Sequence, residues 1–126
     1  MKKYFSRLAA FFVTAYANRL FKQAIKLAEQ RHNVEGSTMY VITDPRDPKK
    51  LVVIDIHQFL ELRHRFEIPS KDMPISELRE HCWYRTGKTV HHSKKKSIDK
   101  DRLSAKEIDV RRLAFVRELL TRARLA

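Results

Sequence analysis

The sequence predicts an α+β fold: a long N-terminal helix, a two-stranded antiparallel β-hairpin and three further helices packed around it. The chain has 126 residues but only two glycines and four prolines, too few for the frequent turns of a sandwich of many short strands. Its densest run of β-forming residues lies between Thr38 and Phe66, and amphipathic helical patterns occupy both ends. Length and a hydrophobic fraction of 43% are typical of one folded domain over residues 1–126.

The N-terminal helix is predicted from Tyr4 to His32, with an amphipathic pattern from about residue 13 onward and Gly36 as a left-handed cap just past its end. Its basic face carries Arg19, Lys22 and Lys26. Four apolar residues of the first turns fall on or beside that basic face, where solvent is expected: Phe5, Leu8, Phe11 and Phe12. Either the helix breaks near Thr14, or these turns are covered by a second copy, a membrane surface or the C-terminal helix. We expect the C-terminal helix to cover them.

Two strands are predicted in MYVIT and LVVIDI, residues 39–43 and 51–56, which are rich in Val, Ile and Tyr. The link between them has two prolines and two aspartates, which favour a turn, and it is too short for a crossover, so the strands are antiparallel. Alternate side chains point to opposite faces, Met39, Val41 and Thr43 to one and Tyr40 and Ile42 to the other. We expect helices on one face and part of the other, and two open edges to which a partner can add a strand.

The second helix is predicted to begin at Asp55, with Gln58 three residues on as a capping partner, and to end at Pro69. The third is predicted in ISELREHCWYRTG, residues 75–87, capped by Ser76 and ended by Gly87.

The last helix is predicted to begin with the capping box of Ser104 and Glu107. Its apolar stripe contains Ile108, Phe115, Val116, Leu119 and Ala123. Arg112 falls inside this stripe, and we expect it to reach solvent or to pair with an acid on a neighbouring element.

The charge of the chain is extreme and unevenly distributed. There are 27 Lys and Arg against 15 Asp and Glu, a net charge of +12. Residues 38–69 are neutral overall, whereas the segments before and after them are all basic. Such a positive field around a neutral centre favours polyanionic partners.

We therefore predict a small, non-enzymatic nucleic-acid-binding protein that contacts mainly phosphates of DNA or RNA. By composition, residues 88–102 are predicted to form a flexible basic loop, preceded by Trp83 and Tyr84, which either stack on a base or belong to the core. The predicted phosphate contacts are Arg19, Lys22, Lys26, Lys88, Lys94, Lys95, Lys96, Arg111, Arg117 and Arg124. The alternative is a protein-interaction or oligomerisation module, such as a homodimer, whose interface is Phe5, Leu8, Phe11 and Phe12.

No pattern in the chain indicates catalysis. Gly87-Lys88-Thr89 lacks the earlier glycine of a phosphate-binding loop, since Cys82 occupies that position. The six histidines and one cysteine lack the paired spacing of a zinc site, and Cys82 beside Leu78 is typical of a small core residue. We expect no enzymatic activity, no metal and no cofactor.

The N-terminus has some features of an export signal. A basic start precedes a ten-residue apolar stretch from Leu8 to Ala17, and Ala15-Tyr16-Ala17 resembles a cleavage site. Arg7 and Arg19 flank the stretch closely and the helical pattern continues beyond it, which favours part of the fold over a signal peptide. The stretch is too short to span a membrane, and a cytoplasmic location is expected.

Overall fold

The computed structural model describes residues 7–65, 75–87 and 103–125. Within them the chain forms four helices and a three-stranded sheet, which confirms the mixed fold class. The elements in order are α1 (Arg7–Glu35), β1 (Tyr40–Asp44), β2 (Asp47–Ile54), α2 (Ile56–Arg65), α3 (Ile75–His81), β3 (Tyr84–Arg85) and α4 (Ala105–Leu125).

Helix α1 is continuous over 29 residues. It does not break near Thr14, so the first alternative for its apolar turns is wrong. The helix ends at Gly36, which has a φ of 78° and donates its N–H to the carbonyl of His32 at 2.8 Å. This is the left-handed glycine ending that the sequence predicts.

The sheet has three strands in the order β2-β1-β3, not the two predicted. β1 pairs antiparallel with both neighbours, Tyr40 opposite Ile54 and Val41 opposite Tyr84. The third helix therefore ends at His81, six residues before the predicted stop at Gly87, and the chain then turns into β3. The pairing with β1 also includes the residue before β3, because the Val41 carbonyl accepts a 2.8 Å hydrogen bond from the Trp83 N–H.

Strand β2 begins earlier than predicted, at Asp47, which shortens the turn and takes in Pro48. Because β2 is an outer strand, the missing N–H of Pro48 is tolerated there. The register shifts between Thr43 and Asp44, next to the turn.

Helices cover both faces of the sheet. On one face α1 and α4 enclose β1 and β3, in two adjoining clusters of buried residues: Ala24, Ala28, Met39, Val41, Tyr84 and Leu103; and Ala17, Phe21, Phe115, Val116 and Leu119. On the other face, α2 and α3 enclose Tyr40, Ile54, Phe59, Leu78 and Cys82. The predicted alternation of β1 is confirmed for Met39 and Val41 on the first face and Tyr40 on the second.

α1 and α4 pack side by side and run antiparallel. Leu103, just before α4, packs in the same cluster as Ala28, toward the end of α1. Leu119, toward the end of α4, packs in the same cluster as Ala17, in the first half of α1. The last turns of α4 therefore lie beside the first turns of α1.

The predicted capping contacts at Asp55 and at Ser104 form, whereas α3 begins at Ile75, one residue before the predicted cap Ser76. The Asp55 carboxylate accepts the N–H of Gln58 at 2.8 Å, and the Gln58 side chain accepts the N–H of Asp55 at 3.1 Å. At the start of α4, the Ser104 hydroxyl accepts the N–H of Glu107 at 3.2 Å. Each contact satisfies a main-chain donor that the first turn of a helix leaves without an intrahelical partner.

Arg112 finds its partners close by. Its guanidinium donates to the side-chain oxygen of Asn18 on α1 at 2.7 Å and pairs with Asp109 of its own helix at 2.8 Å. The partner on the neighbouring helix is thus an amide, and the acid lies one turn earlier on α4.

Candidate nucleic-acid interface

Helix α1 exposes a row of cations to solvent. Arg19, Lys22 and Lys26 are exposed, whereas Ala17, Phe21, Ala24 and Ala28 are buried. At about 100° per residue, the exposed row lies on the side of α1 opposite to the buried row. We call the side of α1 and α4 that faces away from the sheet the outer surface.

Helix α4 adds a second row to the outer surface. Lys106, Arg117 and Arg124 are exposed and lie about half a turn away from the buried Phe115 on the same wheel. Because α1 and α4 are neighbours in one layer, both rows share the outer surface. Sequence reasoning selected Arg117 and Arg124 and missed Lys106, although its eleven-residue spacing from Arg117 places both on one helical face.

Cations outnumber the described acids near the two rows. The sequence has no Asp or Glu before Glu29, and Glu29 accepts a hydrogen bond from the Tyr84 hydroxyl of β3. On α4, Asp109 and Glu118 pair with arginines of their own helix, and the exposed Glu107 follows Lys106. The positive charge of the outer surface is therefore concentrated, which raises the local potential for polyanions.

Arg111 lies apart from the outer surface. It is half-buried, and its guanidinium donates to the main-chain carbonyl of Cys82 and approaches the Cys82 sulfur at 3.8 Å. Its position on α4, about 40° from Phe115, turns it inward. This predicted phosphate contact thus has an internal partner at the end of α3.

The other predicted contacts divide between the core and the segments outside the described residues. Lys88, Lys94, Lys95 and Lys96 lie outside the described residues. Tyr84 is buried, and the Trp83 ring packs on Phe115 with 5.3 Å between centroids. The Trp83 indole N–H also donates to the Thr43 hydroxyl at 2.9 Å. Of the two alternatives for these aromatics, the core is the one observed.

The first turns of α1 expose large apolar side chains. Leu8, Phe11 and Phe12 are 64%, 65% and 61% exposed, and we call them the apolar patch. The expectation that the C-terminal helix covers them is wrong, because the buried stripe of α4 packs against the opposite side of α1, at Ala17 and Phe21. Phe5, the fourth residue of the predicted interface, lies outside the described residues.

The sheet has two outer edges, as a hairpin alone would, but they are β2 and β3. β1 is paired on both sides, and β3 is only two residues long. On the outer strand β2, the Tyr16 hydroxyl donates to the Lys49 carbonyl at 3.0 Å, and Arg31 donates to the Val53 carbonyl at 2.8 Å. Two side chains of α1 thus already occupy acceptors of β2.

Two further features lie in the described part of the chain, a buried thiol and an open cavity. Cys82 is buried, and burial raises the pKa of its thiol while the nearby Arg111 and Arg85 oppose that rise. An open cavity of about 310 Å³ lies between the hairpin turn and α2, with Arg46, Val52 and Glu61 in its lining. Among residues 7–65, 75–87 and 103–125, no three His, Cys, Asp or Glu residues gather as metal ligands.

No helix in the described part of the chain is long and apolar enough to cross a membrane. Comparisons of the chain with protein-family models, with curated proteins and with solved structures found no match.

Proposed function

We propose that this protein binds DNA or RNA through the outer surface and contacts mainly backbone phosphates, without catalysing a reaction. The observation that carries the proposal is the excess of positive charge on that surface. Six cations of α1 and α4 face solvent together. The described acids nearest to them on α4 are the exposed Glu107, next to Lys106, and Asp109, which pairs with Arg112. Lysines and arginines that neutralise phosphates release condensed counterions, which supplies most sequence-independent affinity.

The dimensions of the two rows suit a phosphate backbone. Arg19 and Lys26 are seven residues apart, about 10 Å along α1, and Lys106 and Arg124 span about 27 Å of α4. Duplex DNA carries one negative charge per about 1.7 Å of its axis, so several phosphates lie within reach of each row. Regular helices hold these side chains at fixed spacing, which reduces the ordering that binding requires.

The test compares two variants of equal net charge. Arg19→Gln/Lys22→Gln/Lys26→Gln removes the α1 row, and Arg46→Gln/Lys49→Gln/Lys50→Gln removes three exposed cations of the hairpin. Both lower the net charge from +12 by three. In fluorescence titrations with duplex and single-stranded DNA and RNA over a salt series, we expect the α1 variant to bind more weakly. We expect its slope of log K against log salt to be shallower by about 2 to 3.

The hairpin variant is expected to retain the wild-type affinity and slope. Equal losses in both variants would mean that binding follows total charge and not the outer surface. Wild-type binding no tighter than that of a basic protein of similar size, at low salt, would contradict the proposal as a whole.

The basic loop is tested separately. Lys94→Gln/Lys95→Gln/Lys96→Gln removes the same charge as the α1 variant from a segment that lies outside the described residues. If the loop contacts phosphates, affinity and salt slope fall as they do for the α1 variant. An unchanged titration would limit the interface to the helices.

A further inference from the structure

The apolar patch is a contiguous surface. Leu8, Phe11 and Phe12 have the spacing i, i+3 and i+4, which places them side by side on successive turns of a helix. The rings of Phe11 and Phe12 touch edge to face, with 5.8 Å between centroids and 67° between planes. Each of the three side chains is nearly two-thirds exposed, which is unusual for adjacent large apolar residues unless a partner covers them.

The turns of α1 and α4 next to the patch carry only positive charge. Residues 1–28 contain six Lys and Arg and no Asp or Glu, and Arg7 is exposed one turn before Phe11. The last turns of α4 lie beside the first turns of α1, since Val13 and Leu120 pack in one cluster. After Glu118, which pairs with Arg122 at 3.3 Å, α4 has no further acid.

This combination discriminates among possible partners. A second copy of the chain would bring the same cations to the contact, and like charges at an interface are costly. A nucleic acid meets the cations, but Leu8 has no ring to stack on a base, and rings at 67° to each other do not both lie parallel to stacked bases. An anionic lipid surface suits both the apolar side chains and the cations, because its interface takes up Phe and Leu side chains while its headgroups attract Lys and Arg.

We propose that the apolar patch docks this protein onto an anionic membrane surface. Leu8, Phe11 and Phe12 enter the boundary between headgroups and acyl chains, and the arginines of α1 and α4 beside them contact lipid phosphates. The contact is peripheral and reversible, since one patch of three side chains buries little apolar area. It is distinct from nucleic-acid binding, for which the α1 row, Lys106 and Arg117 lie farther along the outer surface; Arg124, in the last turn of α4, lies beside the patch.

The test is sedimentation with vesicles of neutral phosphatidylcholine and with vesicles in which about a third of the lipid is anionic phosphatidylglycerol. Wild type is expected to sediment with the anionic vesicles and to remain in solution with the neutral ones. Phe11→Ser/Phe12→Ser is expected to lower the partition coefficient about tenfold or more, because each Phe contributes apolar transfer free energy on insertion. Both side chains are exposed, so circular dichroism should show an intact fold.

The matched control is Leu27→Ser/Val34→Ser, which replaces two exposed apolar residues of the same helix. They lie about 24 Å or more from Phe11 along α1, and this variant is expected to bind vesicles as wild type does. A second measurement uses Phe11→Trp with brominated lipids. Its fluorescence should be quenched more than that of wild type, whose single Trp83 packs against Phe115.

Four results would overturn the proposal. The first is wild type that does not bind anionic vesicles, and the second is Phe11→Ser/Phe12→Ser protein that binds them undiminished. The third is a wild-type dimer in sedimentation that the double variant lacks, which would assign the patch to a second copy. The fourth is loss of nucleic-acid binding by the double variant without loss of vesicle binding, which would make the patch part of the nucleic-acid interface.

Discussion

Phe115 lies fully buried between the rings of Phe21 and Trp83, with centroid distances of 5.8 and 5.3 Å. It joins α1, α4 and the segment that leads into β3. Phe12, on the outer side of α1, has the same side chain in the opposite environment. Substituting each residue in turn therefore compares the stability that a buried phenylalanine provides with that of an exposed one.

We predict that Phe115→Ala lowers the free energy of unfolding by about 3 to 5 kcal/mol, because it leaves a cavity in a packed cluster. Phe12→Ala is expected to change it by less than about 0.5 kcal/mol. Urea denaturation followed by circular dichroism measures both. Similar losses for the two variants would show that Phe12 is buried in solution, contrary to the exposed patch.

Arg112 shows what sequence reasoning predicts at the scale of one residue. Its place inside an apolar stripe indicates that it needs a partner, and this can be read from helical periodicity alone. The partner itself depends on which turn of α1 lies opposite. Asn18 occupies that turn only because α1 and α4 pack antiparallel at this register.

At the scale of elements, the helix caps at Gly36, Asp55 and Ser104 are predicted from local signals, whereas the predicted stop of the third helix at Gly87 is wrong. Gly36 is the clearest case, with its positive φ and a hydrogen bond to His32 within one turn. A Cβ at this position would meet no atom within 4 Å, so the backbone conformation alone requires glycine.

We predict that Gly36→Ala lowers the free energy of unfolding by about 1 to 2 kcal/mol, the cost of a left-handed conformation for an L-residue. Gly36→Asn is expected to lose less, since asparagine tolerates this conformation. Thermal and urea unfolding of both variants provide the measurement. An alanine variant as stable as wild type would mean that α1 can end in another way.

The third strand and the exposed patch are the elements that the sequence does not predict, and both depend on distant contacts. Tyr84 and Arg85 follow a short helical pattern directly, and only pairing with β1 makes them a strand. The patch was expected to lie under α4, which carries an apolar stripe. That stripe packs against Ala17 and Phe21 instead. The periodicity of each helix alone does not predict which side of α1 the stripe contacts.

At the scale of the whole molecule, the central sheet joins two cores, and the chain carries one natural probe in each. Cys82 lies with Tyr40 and Phe59 under α2 and α3, and Trp83 packs on Phe115 under α4. The sequence has one cysteine and one tryptophan, so thiol labelling and tryptophan fluorescence each report on one core without further substitutions. The neutral centre and basic periphery follow from composition, whereas the alignment of two cationic rows required the antiparallel packing of α1 and α4.

We predict that the two cores unfold together, because β1 contributes side chains to both. Trp83 fluorescence and the accessibility of Cys82 to a thiol reagent should give the same urea midpoint. The native thiol should react slowly, because burial raises its pKa and the thiolate is the reactive form. Labelling at lower urea than the fluorescence change would show that α2 and α3 open first.

The contacts of Tyr16 and Arg31 with β2 affect how readily this protein aggregates at high concentration. An outer strand with free carbonyls is a template on which strands from other molecules assemble into cross-β fibrils. Here the Lys49 and Val53 carbonyls, four residues apart, are each held by a side chain of α1. A strand joining at this edge would have to displace both side chains, so the long helix also protects the sheet against growth into aggregates.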